Sequence, residues 1–171
     1  TELSEIYYTR NNKNKNFTKQ LDANNYLIGF NNGIYDMKIF QFRAGQPDDY
    51  VTMTIGYDYQ FEHSDHYKEL IQFLEDIMPN ADERNYMLTY LSIGLVGNLL
   101  ELFTIFTGNG RNGKSKLIEL LKKTFGNYFG SVQSQLFTRP RPDANSPDPG
   151  LLNLMKKKIV IVLALFLILF I

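Results

Sequence analysis

Residues 102–125 read LFTIFTGNGRNGKSKLIELLKKTF, and this stretch constrains the fold more than any other. Three glycines, Gly108, Gly110 and Gly113, fall within six residues. Glycine is costly inside regular structure because it has the most backbone freedom to lose, so this segment is a loop. The run LFTIF before it has the length and composition of a short buried strand. After it, Leu117, Leu120, Leu121 and Phe125 recur at helical spacing, and Gly126 suits the left-handed position that stops a helix. The predicted order is strand, glycine loop, helix, which places the chain in the α/β class.

The loop has a specific chemistry. Gly108, Gly113, Lys114 and Ser115 fill the pattern G-x-x-x-x-G-K-[ST]. Glycines allow positive φ, and successive amides then point into one nest of anion size. Lys114 can reach the β- and γ-phosphates of a nucleotide and is the candidate catalytic residue. The Ser115 hydroxyl suits one position of an octahedral Mg²⁺ and is the candidate metal ligand. A helix starting near Lys114 adds its N-terminal dipole and free N–H groups. The candidate nucleotide-binding set is Gly108, Asn109, Gly110, Arg111, Asn112, Gly113, Lys114 and Ser115, with ATP and Mg²⁺ as the expected cofactors.

The rest of the chain divides by texture. Residues 1–25, rich in Asn and Lys, read as an exposed connection. Residues 26–62 contain YLIGF, GIYDMKIFQF and YVTMTIGYDYQF, aromatic and β-branched runs separated by turn signals, and read as a small β-rich domain. Residues 63–100 read as a two-helix connector. Ser64 or Asp65 is placed to cap the first helix, whose apolar face carries Tyr67, Leu70, Ile71, Leu74, Ile77 and Met78. Asp82 is placed to cap the second, with Met87, Tyr90, Leu91, Ile93 and Leu95 on its apolar side. Residues 101–171 then form a partial nucleoside-triphosphatase domain. Within it, residues 138–150 hold four of the six prolines and read as a surface loop, followed by a short helix, a KIVIV strand and an apolar tail from residue 159.

Charge follows the same division. Residues 21–100 carry 4 Lys/Arg against 12 Asp/Glu, whereas residues 101–171 carry 10 against 4. A basic half that coincides with the glycine loop favours phosphate-bearing ligands. Cysteine is absent, which excludes a disulfide framework or a thiolate metal site. The chain begins at Thr1 without a signal-peptide core, and reads like a segment of something longer.

The string GNGRNGKS, with Asn112 before the final glycine, resembles the phosphate loop of superfamily 3 helicases, most closely the primase-helicases of large DNA viruses, phages and plasmids. The resemblance extends upstream through LIGFNNGIYDMKIFQFRAGQPDDYVTMTIGYDY and YLSIGLVGNLLELFTIF, and downstream through ANSPDPGLLNLMKKKIVIV. It implies an ATP-driven, Mg²⁺-dependent motor that assembles as a homo-oligomeric ring, a hexamer, and separates DNA strands in replication. It also implies an intracellular setting, either host-cell cytoplasm or a viral replication site. DNA would be engaged by the complete motor.

In that family the strand matching KIVIV leads into acidic residues that complete the metal site. Here LALFLILFI follows, and no Asp or Glu occurs after Asp148. The expectation is a truncated or frame-shifted product with nucleotide binding but no useful turnover. A buried strand that has lost its continuation is the second reading. A membrane anchor is disfavoured, because thirteen apolar residues from Ile159 to Ile171 fall short of the roughly 20 a span needs, although Lys156–Lys158 would suit a membrane surface. Two other functional classes stay open: a non-catalytic interaction fragment with a relic phosphate loop, and a P-loop phosphotransferase. His63 and His66 would need further ligands to hold a metal. Asp48 and Asp49 read as turn formers. The aromatic side chains of the β-rich unit could stack on bases but fit a strand core better.

Overall fold

A computed structural model describes residues 17–62, 64–96, 104–107, 112–135, 149–163 and 167–169. The fold is mixed α/β. After a helical turn α1 (Phe17–Gln20), strands β1 (Leu27–Phe30), β2 (Gly33–Asp36) and β3 (Gln41–Arg43) form an antiparallel sheet in that order. Ile28 pairs with Tyr35 and Tyr35 with Phe42, so these three share one face. A 3-10 turn follows (Pro47–Asp49), in which Asp49 accepts both guanidinium arms of Arg43, at 2.8 and 2.6 Å, and the Gln46 amide at 2.6 Å. That hydrogen-bonded Arg43 holds the Asp49 carboxyl below its ordinary range. Asp49 is thus a turn-forming residue, as its sequence setting indicates.

The third aromatic run, residues 50–61, is not a ladder strand. Its chain runs beside β1 with isolated bonds, Ile55 N–H to the Gly29 carbonyl (2.8 Å) and Asn31 N–H to the Tyr57 carbonyl (3.1 Å). A foreign group interrupts what would otherwise be pairing. The Tyr128 hydroxyl accepts from Gly29 N–H (3.0 Å) and donates to the Met53 carbonyl (2.9 Å). Further along, the Asn32 side chain exchanges two bonds with the Tyr59 backbone. The aromatic rings pack on each other: Phe42 and Tyr59 stack at 4.6 Å and 11°, and Phe30 and Phe61 meet Tyr59 edge-on at 5.2 Å.

Helices α2 (Tyr67–Ile77) and α3 (Ala81–Val96) form the expected hairpin with different caps and a narrower buried face. His66 is the N-cap of α2 and makes no side-chain cap bond, while the Ser64 hydroxyl accepts only from the His66 amide, at 3.2 Å. Asn80, not Asp82, caps α3, its Oδ1 accepting from Asp82 N–H (2.9 Å) and Glu83 N–H (3.4 Å). Of the α2 apolar face only Leu74 is fully buried, and Tyr67 and Leu70 are exposed. On α3 the buried set is Met87, Tyr90, Leu91 and Gly94.

The second sheet takes β4 (Thr104–Ile105), β5 (Phe129–Gln133), β6 (Ile159–Leu163) and β7 (Leu167–Leu169) in the order β4-β7-β6-β5. β5 and β6 are parallel, and β7 runs antiparallel to both β6 and β4, so β4, β5 and β6 all point the same way. Helix α4 (Lys114–Phe125) precedes β5, and a short helix α5 (Pro149–Leu152) precedes β6. Ile159, Val160, Ile161 and Val162 have no exposed surface, which marks β6 as central. No helix among the described residues is long and apolar enough to cross a membrane. The N-terminal connection as far as residue 16, His63, the proline-rich loop up to residue 148, and residues 164–166 and 170–171 of the tail lie outside the described residues.

One core draws on all the segments. Ile28 and Ile55 from the first unit, Leu74, Met87, Tyr90 and Leu91 from the hairpin, Leu117, Leu121 and Phe125 from α4, and Ile159 and Ile161 from β6 belong to a single buried cluster. Polar contacts reinforce the joint. The lysine triplet donates to main-chain carbonyls. Lys156 reaches Leu21 (2.7 Å), Lys157 reaches Asn127 (2.6 Å), and Lys158 reaches Leu95 (2.9 Å) and Asn25. The Tyr57 hydroxyl donates to the Thr124 carbonyl at 2.8 Å. Gly126, at φ 48° and ψ −123°, allows the closest approach: a Cβ there would lie 1.7 Å from the Ile55 carbonyl oxygen.

Two stability predictions follow from this joint. Gly126→Ala should destabilise the fold by about 3 kcal/mol, because backbone rather than a flexible side chain must yield; a denaturant midpoint within error of the unaltered chain would contradict the contact. Burial pushes the Lys158 ammonium down to about 8 from its ordinary value of 10.5. Between those values the unfolded chain binds more protons than the folded one, so stability should rise with pH, by at most about 1.4 kcal/mol per pH unit. Burial raises Tyr57, Tyr90 and Tyr128, so the test belongs below pH 10. Denaturation from pH 7.5 to 9.5 should show the rise in the unaltered chain and its loss in Lys158→Met.

Candidate phosphate-binding site

Of the eight residues proposed for nucleotide contact, Asn112, Gly113, Lys114 and Ser115 are described. Gly108, Asn109, Gly110 and Arg111 lie outside the described residues. Gly113 is the N-cap of α4 at φ 84° and ψ −7°, a left-handed conformation that only glycine adopts without strain. Its carbonyl accepts the first helical hydrogen bond, from Leu117 N–H at 2.9 Å. Lys114 and Ser115 open the helix, Ser115 is exposed, and the Lys114 ammonium donates to Asn112 Oδ1 at 2.7 Å. Glycine, lysine and serine therefore stand together at one helix start.

The electrostatics of that start are uneven. The first turn of α4 holds Lys114 and Lys116 and no carboxylate. Cations at a helix N-terminus oppose the macrodipole, so this arrangement costs helix stability unless an anion sits there. Glu119 relieves part of the cost, pairing with Lys116 at 2.9 Å and Lys123 at 3.3 Å; the hydrogen bonds from those two ammonium groups hold its carboxyl low. At the other end Lys122 and Lys123 agree with the dipole.

Sheet direction fixes the edge at which β4 ends. β4 and β6 are parallel, so the loop after β4 and the residues after β6 emerge at the same edge, the carboxyl edge where ligands of open α/β sheets collect. Between β6 and β7 the sequence runs Ala164, Leu165, Phe166, without an acid. One strand, β7, separates β4 from β6. Ser115, expected from the sequence as a metal ligand, is exposed, and among the described residues no cluster of three His, Cys, Asp or Glu could hold a metal ion. His66 Nδ1 lies 3.0 Å from Glu69 Oε2 on an exposed helix surface.

Ile77 is a site neighbour that carries no sequence signal. A Cβ on Gly113 would lie 2.2 Å from Ile77 Cγ2 and 3.2 Å from its Cβ, so the end of α2 presses directly on the last loop glycine. Lys158, by contrast, precedes β6 and so lies toward the amino edge, away from the loop.

Residues 4–79 match the family described as D5 N terminal like. A protein of Acanthamoeba polyphaga mimivirus that bears a helicase name is 43% identical over 139 residues, covering 80% of this chain and 14% of the relative. A helicase-named protein of invertebrate iridescent virus 6 is 33% identical over 140 residues, again 80% and 14% of the two lengths. A primase of fowlpox virus is 28% identical over 151 residues, covering 84% of this chain and 19% of its own length. The chain is related to helicase-named and primase-named proteins of large DNA viruses. It spans about one seventh of the length of the first of these relatives. The family match ends two residues beyond Ile77 and includes all of α2.

Proposed function

We propose that residues 108–115 bind the phosphates of ATP with Mg²⁺, as part of a motor that separates DNA strands during viral replication. The observation that carries this reading is a G-x-x-x-x-G-K-[ST] sequence whose Gly113 is left-handed and whose Lys114 and Ser115 open a helix beside the carboxyl edge of parallel strands. In this proposal the backbone amides and the α4 dipole hold the phosphates, and Lys114 neutralises the terminal one. ATP supplies the transferable phosphoryl group. Ser115 takes one Mg²⁺ position, and the remaining acids, the DNA-gripping surface and the homo-oligomeric ring, a hexamer, belong to the complete protein. Its setting would be the host-cell cytoplasm or a viral replication site.

The 171-residue chain is proposed to bind without useful turnover, because positioning and charge stabilisation carry phosphoryl transfer and the stretch after β6 holds no acid. Calorimetry with ATP and Mg²⁺ tests the binding. Lys114→Ala should weaken it about tenfold to a hundredfold, the loss of a charge-assisted contact. Asn112→Asp should weaken it about tenfold, since an ion pair would hold the ammonium and a carboxylate would face the phosphates, whereas Asn112→Ala should stay within about threefold. Equal affinity in Lys114→Ala and the unaltered chain would refute the assignment, and steady hydrolysis abolished by Lys114→Ala would show the chain to be a complete catalyst.

A further inference from the structure

We propose that Ile77 is a buttress that holds the left-handed conformation of Gly113 at the start of α4, so that the position of the α2–α3 hairpin regulates nucleotide binding. This rests on the reading of residues 108–115 as a phosphate loop. The contact is made by the β-branch of the side chain: Cγ2 would lie 2.2 Å, and Cβ 3.2 Å, from a Cβ built on Gly113. Gly113 therefore needs to be glycine twice over, for its φ of 84° and for the space Ile77 takes. Moving Ile77 away removes the wall against which that left-handed turn rests.

The wall is itself held. Leu74, one turn earlier, is buried in the core, and Met78 N–H closes the helix on the Leu74 carbonyl at 3.1 Å. Arg84 of α3 donates to the Met78 carbonyl at 2.8 Å and approaches Glu75 of α2 at 3.7 Å, which ties the two helices across their turn. On the other side the Gly113 carbonyl anchors Leu117 N–H, and the next two residues are Lys114 and Ser115. A shift of the hairpin thus reaches the phosphate-binding side chains through one packed contact. The reverse holds too: a nucleotide that tightens the loop pushes on α2, whose outer residues Tyr67 and Leu70 are exposed.

Isomeric side chains separate a buttress from simple apolar burial. Ile77→Val keeps Cβ and both β-branches, whereas Ile77→Leu keeps the volume and loses the branch that meets Gly113. In the full chain, Ile77→Leu should weaken binding of a fluorescent ADP analogue about tenfold and Ile77→Val less than about twofold. Amide exchange at Leu117, read without nucleotide, should quicken in Ile77→Leu and not in Ile77→Val, with amides of β5 and β6 unchanged. Equal affinities and equal Leu117 exchange in the two variants would overturn the proposal. Absence of nucleotide binding in the unaltered chain, with Leu117 exchange still raised by Ile77→Leu, would remove the proposed function and leave the buttress standing. Absence of both effects would remove the two together.

Discussion

Burial of Ile159 to Val162 in β6 is the constraint on which the other elements depend. Four consecutive residues, Ile159 to Val162, have no exposed surface, and in a strand consecutive side chains point to opposite faces. Both faces and both edges must therefore be covered. Ile159 and Ile161 join the cluster that α3 and α4 supply, β5 covers one edge in parallel register, and β7 covers the other. Each such side chain contributes about 1.5–3 kcal/mol by leaving water. Once β6 is central and parallel to β4, the loop after β4 has only one edge on which to emerge.

The joint between the two sheets is built differently. Apolar packing of Ile28 and Ile55 provides contact, but bonds to backbone carbonyls provide register. Tyr128, Lys156 and Lys158 precede or lie beside strands of the second sheet and end on the backbone of other segments. Asp22 answers from the first unit: burial raises its carboxyl, but the Thr52 hydroxyl, the Thr52 and Met53 amides and Lys156 outweigh that and leave it lowered. A buried polar group without a partner costs more than a paired one contributes, so these contacts select one docking geometry rather than add much stability.

The resemblance of the loop to the primase-helicase family was legible because it is local. Lys114, Ser115 and the glycines act through backbone positions a few residues apart, and so do the hairpin and the first three strands. The misreadings have physical causes of the opposite kind. Residues 50–61 alternate as a strand should, yet a tyrosine hydroxyl from about 75 residues away occupies the ladder position. Lys158 looks like a surface charge until Asn25 and Leu95 close over it. Asp82 looks like a cap, but the helix begins two residues after Pro79, and Asn80 accepts from the amides of Asp82 itself and Glu83.

By itself the sequence determined that a glycine turn bearing lysine and serine joins a strand to a helix, because glycine spacing and helical periodicity are properties of neighbours along the chain. Tertiary structure alone decided that Ile77 would press on Gly113, that Tyr128 would take a place in another unit's ladder, and that Lys158 would be buried. Those three depend on which surfaces meet after collapse, and side-chain identity at one position carries no record of the partner that packing will bring to it.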